Sequence, residues 1–227
     1  MRPYAQYCPI AKTAEIIGDR WSILILRDML VGTQHFNDLA RGLPGISRNL
    51  LAKRLRHLQA SGLISKFDGG YELTEAGMDL RPLVFGMADW GAKWAFPEPR
   101  EEELDPDLLV WWIHGQIEQD TVPGARVVVE LDFFDCKARY WLVIEAHDVS
   151  VCLTDPGFEI DLLLRSSLRT MYLVWLGRRD MRNALRDGEI ELTGDAGLAR
   201  AFPGWLRLSP ASPAVRAATS VCPTSAC

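Results

Sequence analysis

The sequence has no run of 18 or more apolar residues, and its first residues carry neither a continuous apolar core nor a small-residue cleavage site. We therefore expect no membrane span and no secretory signal. The five cysteines, Cys8, Cys136, Cys152, Cys222 and Cys227, are scattered, and none forms a CxxC pair. This pattern argues against a disulfide framework or a zinc site and favours a reducing cytoplasm.

The common signatures of catalysis are also missing. The four histidines stand in unrelated contexts without an HExxH pair, and the chain has neither a G-x-S-x-G turn nor a phosphate-binding glycine loop. The sequence therefore predicts a protein that is not an enzyme and that uses no metal and no cofactor.

Charge is distributed unevenly along the chain. Residues 1–97 hold 12 Lys and Arg against 9 Asp and Glu, whereas residues 98–227 hold 13 against 21, so a net charge of +3 is followed by one of −8. This asymmetry favours two modules with different partners. Two prolines and an acidic run at residues 97–103 mark the boundary between them.

The hydrophobic pattern of the first half predicts helices followed by a hairpin and a closing helix. The helices are expected at residues 9–17, 20–31, 36–41 and 47–60, the hairpin at 64–74, and a long final helix at 75–94 with Thr74 as its cap. This order is typical of a winged helix-turn-helix domain, which we place at residues 1–97.

The second half predicts a meandering sheet with helices gathered late, so the whole chain is expected to be α+β. Strands are expected at residues 126–134, 139–146, 149–153, 158–164 and 189–193, and helices at 107–119, 168–176, 181–186 and 198–206. We assign this domain to residues 104–208. The remaining residues, 209–227, are rich in Ser, Ala, Pro and Thr, which predicts a disordered tail.

The segment from Ser47 to Ala60 has the character of a DNA-recognition helix. Leu51, Leu55 and Leu58 form one apolar stripe, and the opposite face is basic in its first turns. Arginine suits bidentate contact with guanine and asparagine suits adenine, whereas lysine and arginine also hold phosphates. The face that would enter the major groove carries Arg48, Asn49, Ala52, Lys53 and Arg56.

The charges around this helix support the same interpretation. Between Asp38 and Asp68 lie six Lys and Arg residues and no acidic residue. A merely solvated helix face is the alternative, but such faces usually mix both signs. Lys66, at the start of the wing, is expected to contact the DNA backbone or minor groove. The candidate DNA contacts are Asn37, Arg41, Ser47, Arg48, Asn49, Lys53, Arg54, Arg56 and Lys66.

Several motifs in this half resemble the HxlR family of MarR-like bacterial regulators. They are CP at residues 8–9, GDRW at 18–21, ILRD at 25–28, FNDL at 36–39, GIS at 45–47, LL at 50–51, LI at 63–64 and YELTEAG at 71–77. The resemblance implies a homodimer that binds a near-palindromic operator, with the N-terminal arm and the helix around residues 78–95 forming the dimer contact. Two recognition helices would then lie about one DNA turn, ~34 Å, apart.

The last helix of this domain is apolar enough to support such a contact. Leu80, Leu83, Val84, Met87, Trp90 and Trp94 trace a broad apolar stripe on it. Packing against its own domain or the second domain is the alternative to dimerisation.

Cys8 immediately precedes Pro9, which suits the first turn of a helix, and a helix N-terminus makes a thiol more reactive. Some relatives in the resembled family sense oxidants through a cysteine at this position. Redox sensing by Cys8 is therefore one hypothesis, and a structural thiol near the dimer contact is the other.

The second half resembles the sterol-carrier-protein lipid-binding fold. The resemblance rests on IDL at residues 160–162, the 168–175 helix followed by LG, ALRDG at 184–188, ELTG at 191–194 and LARAFPGWL at 198–206. It implies an apolar tunnel for lipids or fatty acyl groups. Candidate lining residues are Trp111, Phe133, Leu142, Val151, Leu162, Met171, Tyr172 and Trp175, and plain core packing is the alternative for each of them.

Together these features predict a dimeric, ligand-responsive transcriptional repressor in the cytoplasm. Its partners would be an operator in double-stranded DNA, a second copy of itself and an apolar small molecule or fatty acyl ligand, with no membrane partner. The alternative is a DNA-binding protein whose second domain carries lipid or reinforces the dimer without any regulatory coupling.

Overall fold

The computed structural model of the chain describes residues 4–146 and 148–221. The chain divides into two compact units, Met1–Ala88 and Asp89–Cys227. The structure therefore combines an N-terminal helical unit bearing a β-hairpin with a C-terminal unit built on a β-sheet. None of the helices in these described ranges has the length and apolar composition needed to cross a membrane.

The first unit contains helices followed by a two-stranded antiparallel hairpin and then further helix. Its elements are α1 (Pro9–Ile17), α2 (Ser22–Leu30), α3 (Phe36–Gly42), α4 (Arg48–Ala60), β1 (Ile64–Phe67), β2 (Gly70–Leu73), α5 (Glu75–Met78) and the first part of α6 (Arg81–Trp94), whose residues 89–94 belong to the second unit. The order expected from the sequence is confirmed. The apolar stripe of α4 is confirmed as well, since Leu51, Leu55 and Leu58 are all fully buried in the core of the unit.

The single long helix expected over residues 75–94 is wrong, because the chain is broken between α5 and α6. Thr74 is the predicted cap, and its Oγ1 accepts a hydrogen bond from the N–H of Gly77. Pro82 explains the break. A proline cannot donate to the carbonyl four residues earlier and its ring clashes with that carbonyl, whereas it is well tolerated in the first turn of a new helix.

The second unit contains a five-stranded sheet in the order β5-β4-β3-β6-β7, in which β3 and β6 are parallel and all other neighbours are antiparallel. Its elements are α7 (Pro106–His114), β3 (Arg126–Phe133), β4 (Ala138–Glu145), β5 (Asp148–Cys152), β6 (Leu162–Ser166), α8 (Leu168–Trp175), α9 (Met181–Arg186), β7 (Ile190–Gly194), α10 (Ala196–Ala201) and α11 (Ser212–Val221).

One face of this sheet forms the core of the second unit. Along β3, Val127, Val129, Leu131 and Phe133 point to the same side and are buried. Residues of α7, α8 and α9 belong to the same apolar cluster. The core therefore lies between one face of the sheet and these helices.

Some boundaries in this unit differ from those expected. The helix expected at 107–119 ends at His114, with Gly115 as its cap, and the helix expected at 198–206 covers Ala196–Ala201 and ends before Pro203. The chain continues as a short 3-10 helix over Phe202–Gly204, in which Pro203 has no N–H to donate to the α-helical hydrogen bond that would extend α10. The strand expected at 158–164 begins only at Leu162, and Gly157, at φ +75°, lies in a bend that precedes it.

The expectation of a disordered tail from residue 209 is wrong as far as residue 221. The N–H of Ser209 donates to the carbonyl of Trp175 at 2.9 Å, and α11 buries Ala214 and Val215. Composition alone did not reveal this helix, because the burial of Ala214 and Val215 arises only when the chain is folded. Residues 222–227, including Cys222 and Cys227, lie outside the part of the chain that is described.

Candidate nucleic-acid interface

The outward face of α4 is the basic surface that the sequence predicts. Arg48, Asn49, Lys53 and Arg56 are exposed, and Ala52 between them is half-buried. Ser47 begins the helix as its cap, with Oγ accepting a hydrogen bond from the N–H of Leu50 at 3.2 Å. The positive side chains therefore lie along the exposed face of a helix whose opposite face is anchored in the core.

Arg48 is held in place by two residues of α3. Its Nη2 donates to Oδ1 of Asn37 at 2.6 Å, and its guanidinium lies 5.1 Å from the ring centre of Phe36. The structure thus brings two sequence-predicted contacts, Asn37 and Arg48, together. Arg41 is exposed at the end of the same helix, α3.

Arg54 is used differently, as an ion-pair partner inside the unit. Its Nε lies 3.1 Å from Oδ1 of Asp19, whose side chain is only 7% exposed. The same carboxylate accepts hydrogen bonds from the N–H groups of Trp21 and Ser22 at the start of α2. Helical periodicity places Arg54 beside the buried stripe and away from Lys53. Counting charges along the sequence could not reveal this partner, which is 35 positions away.

The ion pair between Arg54 and Asp19 is expected to stabilise the N-terminal unit. We expect Asp19→Ala to lower the free energy of unfolding by about 2 kcal/mol, because it removes the acceptor of two backbone N–H groups at the start of α2 and leaves the guanidinium of Arg54 without its partner. Asp19→Asn keeps an oxygen that accepts from these N–H groups and should lose less stability. Chemical denaturation monitored by circular dichroism measures both, with the exposed Asp89→Ala as control. Equal stability of Asp19→Ala and the parent would contradict the structural role of this pair.

The wing, formed by β1 and β2, is attached to the segment that precedes α3. The N–H of Tyr71 donates to the carbonyl of Gln34 at 2.9 Å, and Nδ1 of His35 lies 2.9 Å from the carbonyl oxygen of Gly69. Lys66 is exposed on β1. The sequence alone did not point to residues 34–36, since no local pattern shows contacts between segments more than 30 residues apart.

Helix α6 exposes a row of large apolar side chains. Leu83, Met87, Trp90 and Trp94 are 42, 51, 63 and 66% exposed and follow a spacing of four, three and four residues, which puts them on one stripe. Val84, on another side of the helix, is buried. Tyr7 and Ile10 near the N-terminus are also exposed.

Cys8 directly precedes α1 and is partly exposed, with its side chain making no capping hydrogen bond. Cys136 and Cys152 are unpaired as well. Within the described residues, no cluster of three or more His, Cys, Asp or Glu side chains is arranged to hold a metal ion.

Most of the candidate lipid-lining residues lie in the packed core of the second unit. Phe133, Leu142, Leu162, Met171, Tyr172 and Trp175 belong to one buried cluster, and Val151 packs against it. Trp111 is half-buried, with its ring 4.3 Å from that of His114. A surface groove of about 510 Å³ lies elsewhere, between β7, the end of α9 and α10, and none of the eight candidates lines it.

The segment that follows α6 is held by side chains of α8 and the residues after it. Arg178 pairs with Glu98, with Nη1 and Oε1 2.8 Å apart, and it also donates to the carbonyl of Phe96. Nη1 of Arg169 donates to the carbonyl of Pro99 at 2.9 Å. Residues 96–99 are therefore fixed to the sheet-based unit at three points.

A fourth contact lies further along this segment. The hydroxyl of Tyr172 donates to the carbonyl of Asp105 at 2.9 Å, and burial raises the pKa of Tyr172 to about 12. Tyr172 also belongs to the buried core cluster. The segment between α6 and α7, which we call the linker, is thus joined to α8, and α8 also contributes to the core of the second unit.

Helices α2 and α3, the exposed basic helix α4 and the wing of β1 and β2 follow one another in this order. They define a winged helix-turn-helix DNA-binding domain. The chain belongs to the HxlR-like helix-turn-helix family, whose model matches residues 16–99. It is a DNA-binding transcriptional regulator of that family.

Two curated relatives from Bacillus subtilis support this assignment. The chain is 32% identical over 96 residues to an uncharacterized HTH-type transcriptional regulator, YybR of Bacillus subtilis. The aligned region covers 39% of this chain and 77% of YybR. It is 32% identical over 105 residues to YkvN of the same organism, covering 43% and 89%. The redox regulator HypR in its reduced form is 32% identical, with 37% of this chain and 90% of that chain covered and a TM-score of 0.34.

Proposed function

We propose that this protein is a dimeric, ligand-responsive repressor of the cytoplasm that binds a near-palindromic operator through residues 1–97. Residues 104–208 form a sterol-carrier-like domain that takes an apolar small molecule or fatty acyl group. The observation that carries the DNA-binding part is the exposed face of Arg48, Asn49, Lys53 and Arg56 on a helix anchored by its opposite side.

These residues have distinct roles in the proposed complex. Arg48 and Asn49, in the first turn of α4, contact base edges in the major groove, since these positions of a recognition helix reach deepest. Lys53 and Arg56, one and two turns further along, hold phosphates, and Lys66 contacts the DNA beside the wing. Ser47 and Arg41 lie next to the same surface, whereas the ion pair with Asp19 assigns Arg54 a structural role.

The exposed stripe of α6 is the proposed dimer contact. Four large apolar side chains on one helix face are unfavourable in water, and a symmetric partner removes them from it. A dimer also matches the symmetry of a near-palindromic operator.

Ligand response requires a physical connection between the second domain and α6. The contacts of Arg169, Tyr172 and Arg178 support one, because they join α8 and the turn after it to the segment that directly continues α6. A ligand that shifts α8 would then change the spacing of the two recognition helices. Couplings of this kind typically amount to ~1–3 kcal/mol, or about 5- to 150-fold in operator affinity.

A gel shift with the full-length protein and its operator, with and without C12–C18 fatty acids, tests the regulatory part. We expect a bound fatty acid to change operator affinity at least ~5-fold. Arg178→Ala should still bind the fatty acid but respond less, since it releases the linker. A fatty acid that binds tightly and leaves operator affinity unchanged would contradict the proposal.

The second candidate function gives the C-terminal domain no regulatory role. The burial of six of the eight candidate lining residues in one packed cluster favours it, because a packed core leaves less room for a ligand. In this case the domain carries lipid or reinforces the dimer. Full operator affinity of a fragment of residues 1–97 that is itself dimeric would support this alternative.

Redox sensing through Cys8 is a further proposal, supported by its position at the start of α1 and by its partial exposure. If it holds, peroxide or diamide should release the parent protein from its operator, and Cys8→Ser should abolish that release. Cys136→Ser, which changes another exposed thiol, is the matched control. Release that is unaffected by Cys8→Ser would eliminate the hypothesis.

A further inference from the structure

Residues 34–37, which span the start of α3, contact both elements that face the DNA in the proposed complex. Gln34 and His35 contact the wing at Tyr71 and Gly69. The next two residues, Phe36 and Asn37, contact Arg48 on α4. One turn of chain thus sets the position of the wing and of the leading side chain of the recognition helix.

The two contacts on Arg48 fix different degrees of freedom. The hydrogen bond to Asn37 sets the direction of the guanidinium, and the ring of Phe36, 5.1 Å from it, restricts its plane. A guanidinium has five N–H donors in a rigid fork, and the Asn37 bond uses one of them. Enough donors remain for the two parallel bonds that guanine accepts at O6 and N7.

The chemical nature of Asn37 distinguishes this pair from the ion pair of Arg54. Asp19 neutralises Arg54 with a carboxylate, which suits a structural role. The amide oxygen of Asn37 accepts a hydrogen bond without cancelling the positive charge of Arg48. Arg48 is thereby ordered in the free protein while its charge stays available to DNA.

We propose that Asn37 and Phe36 are positioning residues that preorganise Arg48 for a guanine in each operator half-site, and that Asn37 itself does not contact a base. This inference rests on the proposed DNA-binding function and departs from the sequence-based expectation that Asn37 is a direct contact. Preorganisation lowers the entropic cost of binding, since the long arginine side chain is already ordered.

A double-mutant cycle separates a positioning residue from an independent contact. The probe is the site that the full-length parent protein enriches from a random-sequence DNA library. We compare the parent with Asn37→Ala, Arg48→Ala and the variant carrying both. We expect Asn37→Ala to weaken binding to the enriched site ~5- to 10-fold and to relax the same base position as Arg48→Ala. The doubly substituted variant should bind like Arg48→Ala alone, within about 2-fold.

Two further variants sharpen the result. Asn37→Asp keeps the hydrogen-bond acceptor but adds a negative charge, so it should weaken binding to both the enriched site and unrelated DNA, unlike Asn37→Ala. Asn49→Ala is the control for an independent contact, and its effect should multiply with that of Asn37→Ala. Thermal melting is expected to be unchanged for all variants, because Asn37, Arg48 and Asn49 are exposed.

Three results would overturn this inference. Multiplying effects of Asn37→Ala and Arg48→Ala would show that Asn37 makes its own DNA contact. Tighter binding by Asn37→Ala would show that the pair masks Arg48. A guanine preference that survives Arg48→Ala would show that another residue reads that position. Failure of the parent protein to enrich any site would instead refute the proposed DNA-binding function, so the two failures are distinguishable.

Discussion

Replacing Arg48 and Asn49 together by alanine is expected to abolish most of the discrimination between the operator and unrelated DNA. Each base contact of this kind contributes ~1–3 kcal/mol, so the two should lower operator affinity by ~30-fold or more. Affinity for unrelated DNA should change far less, because most non-specific binding comes from phosphate contacts. Fluorescence anisotropy with operator and scrambled duplexes at one salt concentration measures both quantities.

Lys53→Ala supplies the contrasting variant for the same experiment. A lysine that holds a phosphate contributes equally to all sequences, so both duplexes should bind more weakly by the same factor. The slope of log affinity against log salt concentration should also become shallower by ~0.9 for each phosphate that the protein no longer neutralises. If the double variant and Lys53→Ala both leave operator binding intact, the recognition face is assigned to the wrong side of α4.

The parts of this face that follow from helix periodicity could be predicted from the sequence. The buried stripe of Leu51, Leu55 and Leu58 fixes which side of α4 is exposed, and the structure bears this out. The role of an individual charge could not be predicted in the same way. Arg54 stands in the same acid-free stretch as Lys53, yet its partner Asp19 comes from the turn before α2.

Contacts distant in sequence account for most of the remaining differences. Nothing local to Asn37 shows that it accepts a hydrogen bond from Arg48, because the pair forms only when α3 packs beside α4. The helix over Ser212–Val221 also depends on contacts between parts of the chain that are distant in sequence. Its composition favours disorder, but burial of Ala214 and Val215 stabilises it.

In the C-terminal domain, the sequence predicts the strands but not whether the buried residues line a cavity. Alternating apolar residues are enough to predict strands such as β3, and the sheet is present. The same apolar character cannot separate a tunnel wall from a packed core, since both require buried Leu, Phe, Met and Trp. The packing of Phe133 and Trp175 in one cluster is therefore information that only the structure supplies.

A charge on the apolar stripe of α6 is expected to disrupt the proposed dimer. Met87 and Trp90 are 51 and 63% exposed within one chain, so Met87→Asp with Trp90→Asp should leave the chain folded. The two carboxylates would have to be buried without partners at a symmetric contact, which costs several kcal/mol and should shift the protein to monomer at micromolar concentration. Size-exclusion chromatography with light scattering measures the mass.

Dissociation of the dimer should have a large effect on DNA binding. A monomer contacts one half-site and lacks the second recognition helix, which otherwise binds at a high effective concentration, so operator affinity should fall ~100-fold or more. Asp89→Ser, exposed on another side of α6, is the matched control and should remain dimeric. A variant that stays dimeric despite both aspartates would place the dimer contact elsewhere. A monomer with full operator affinity would separate operator recognition from dimer symmetry, because a single copy of α4 and the wing would then suffice.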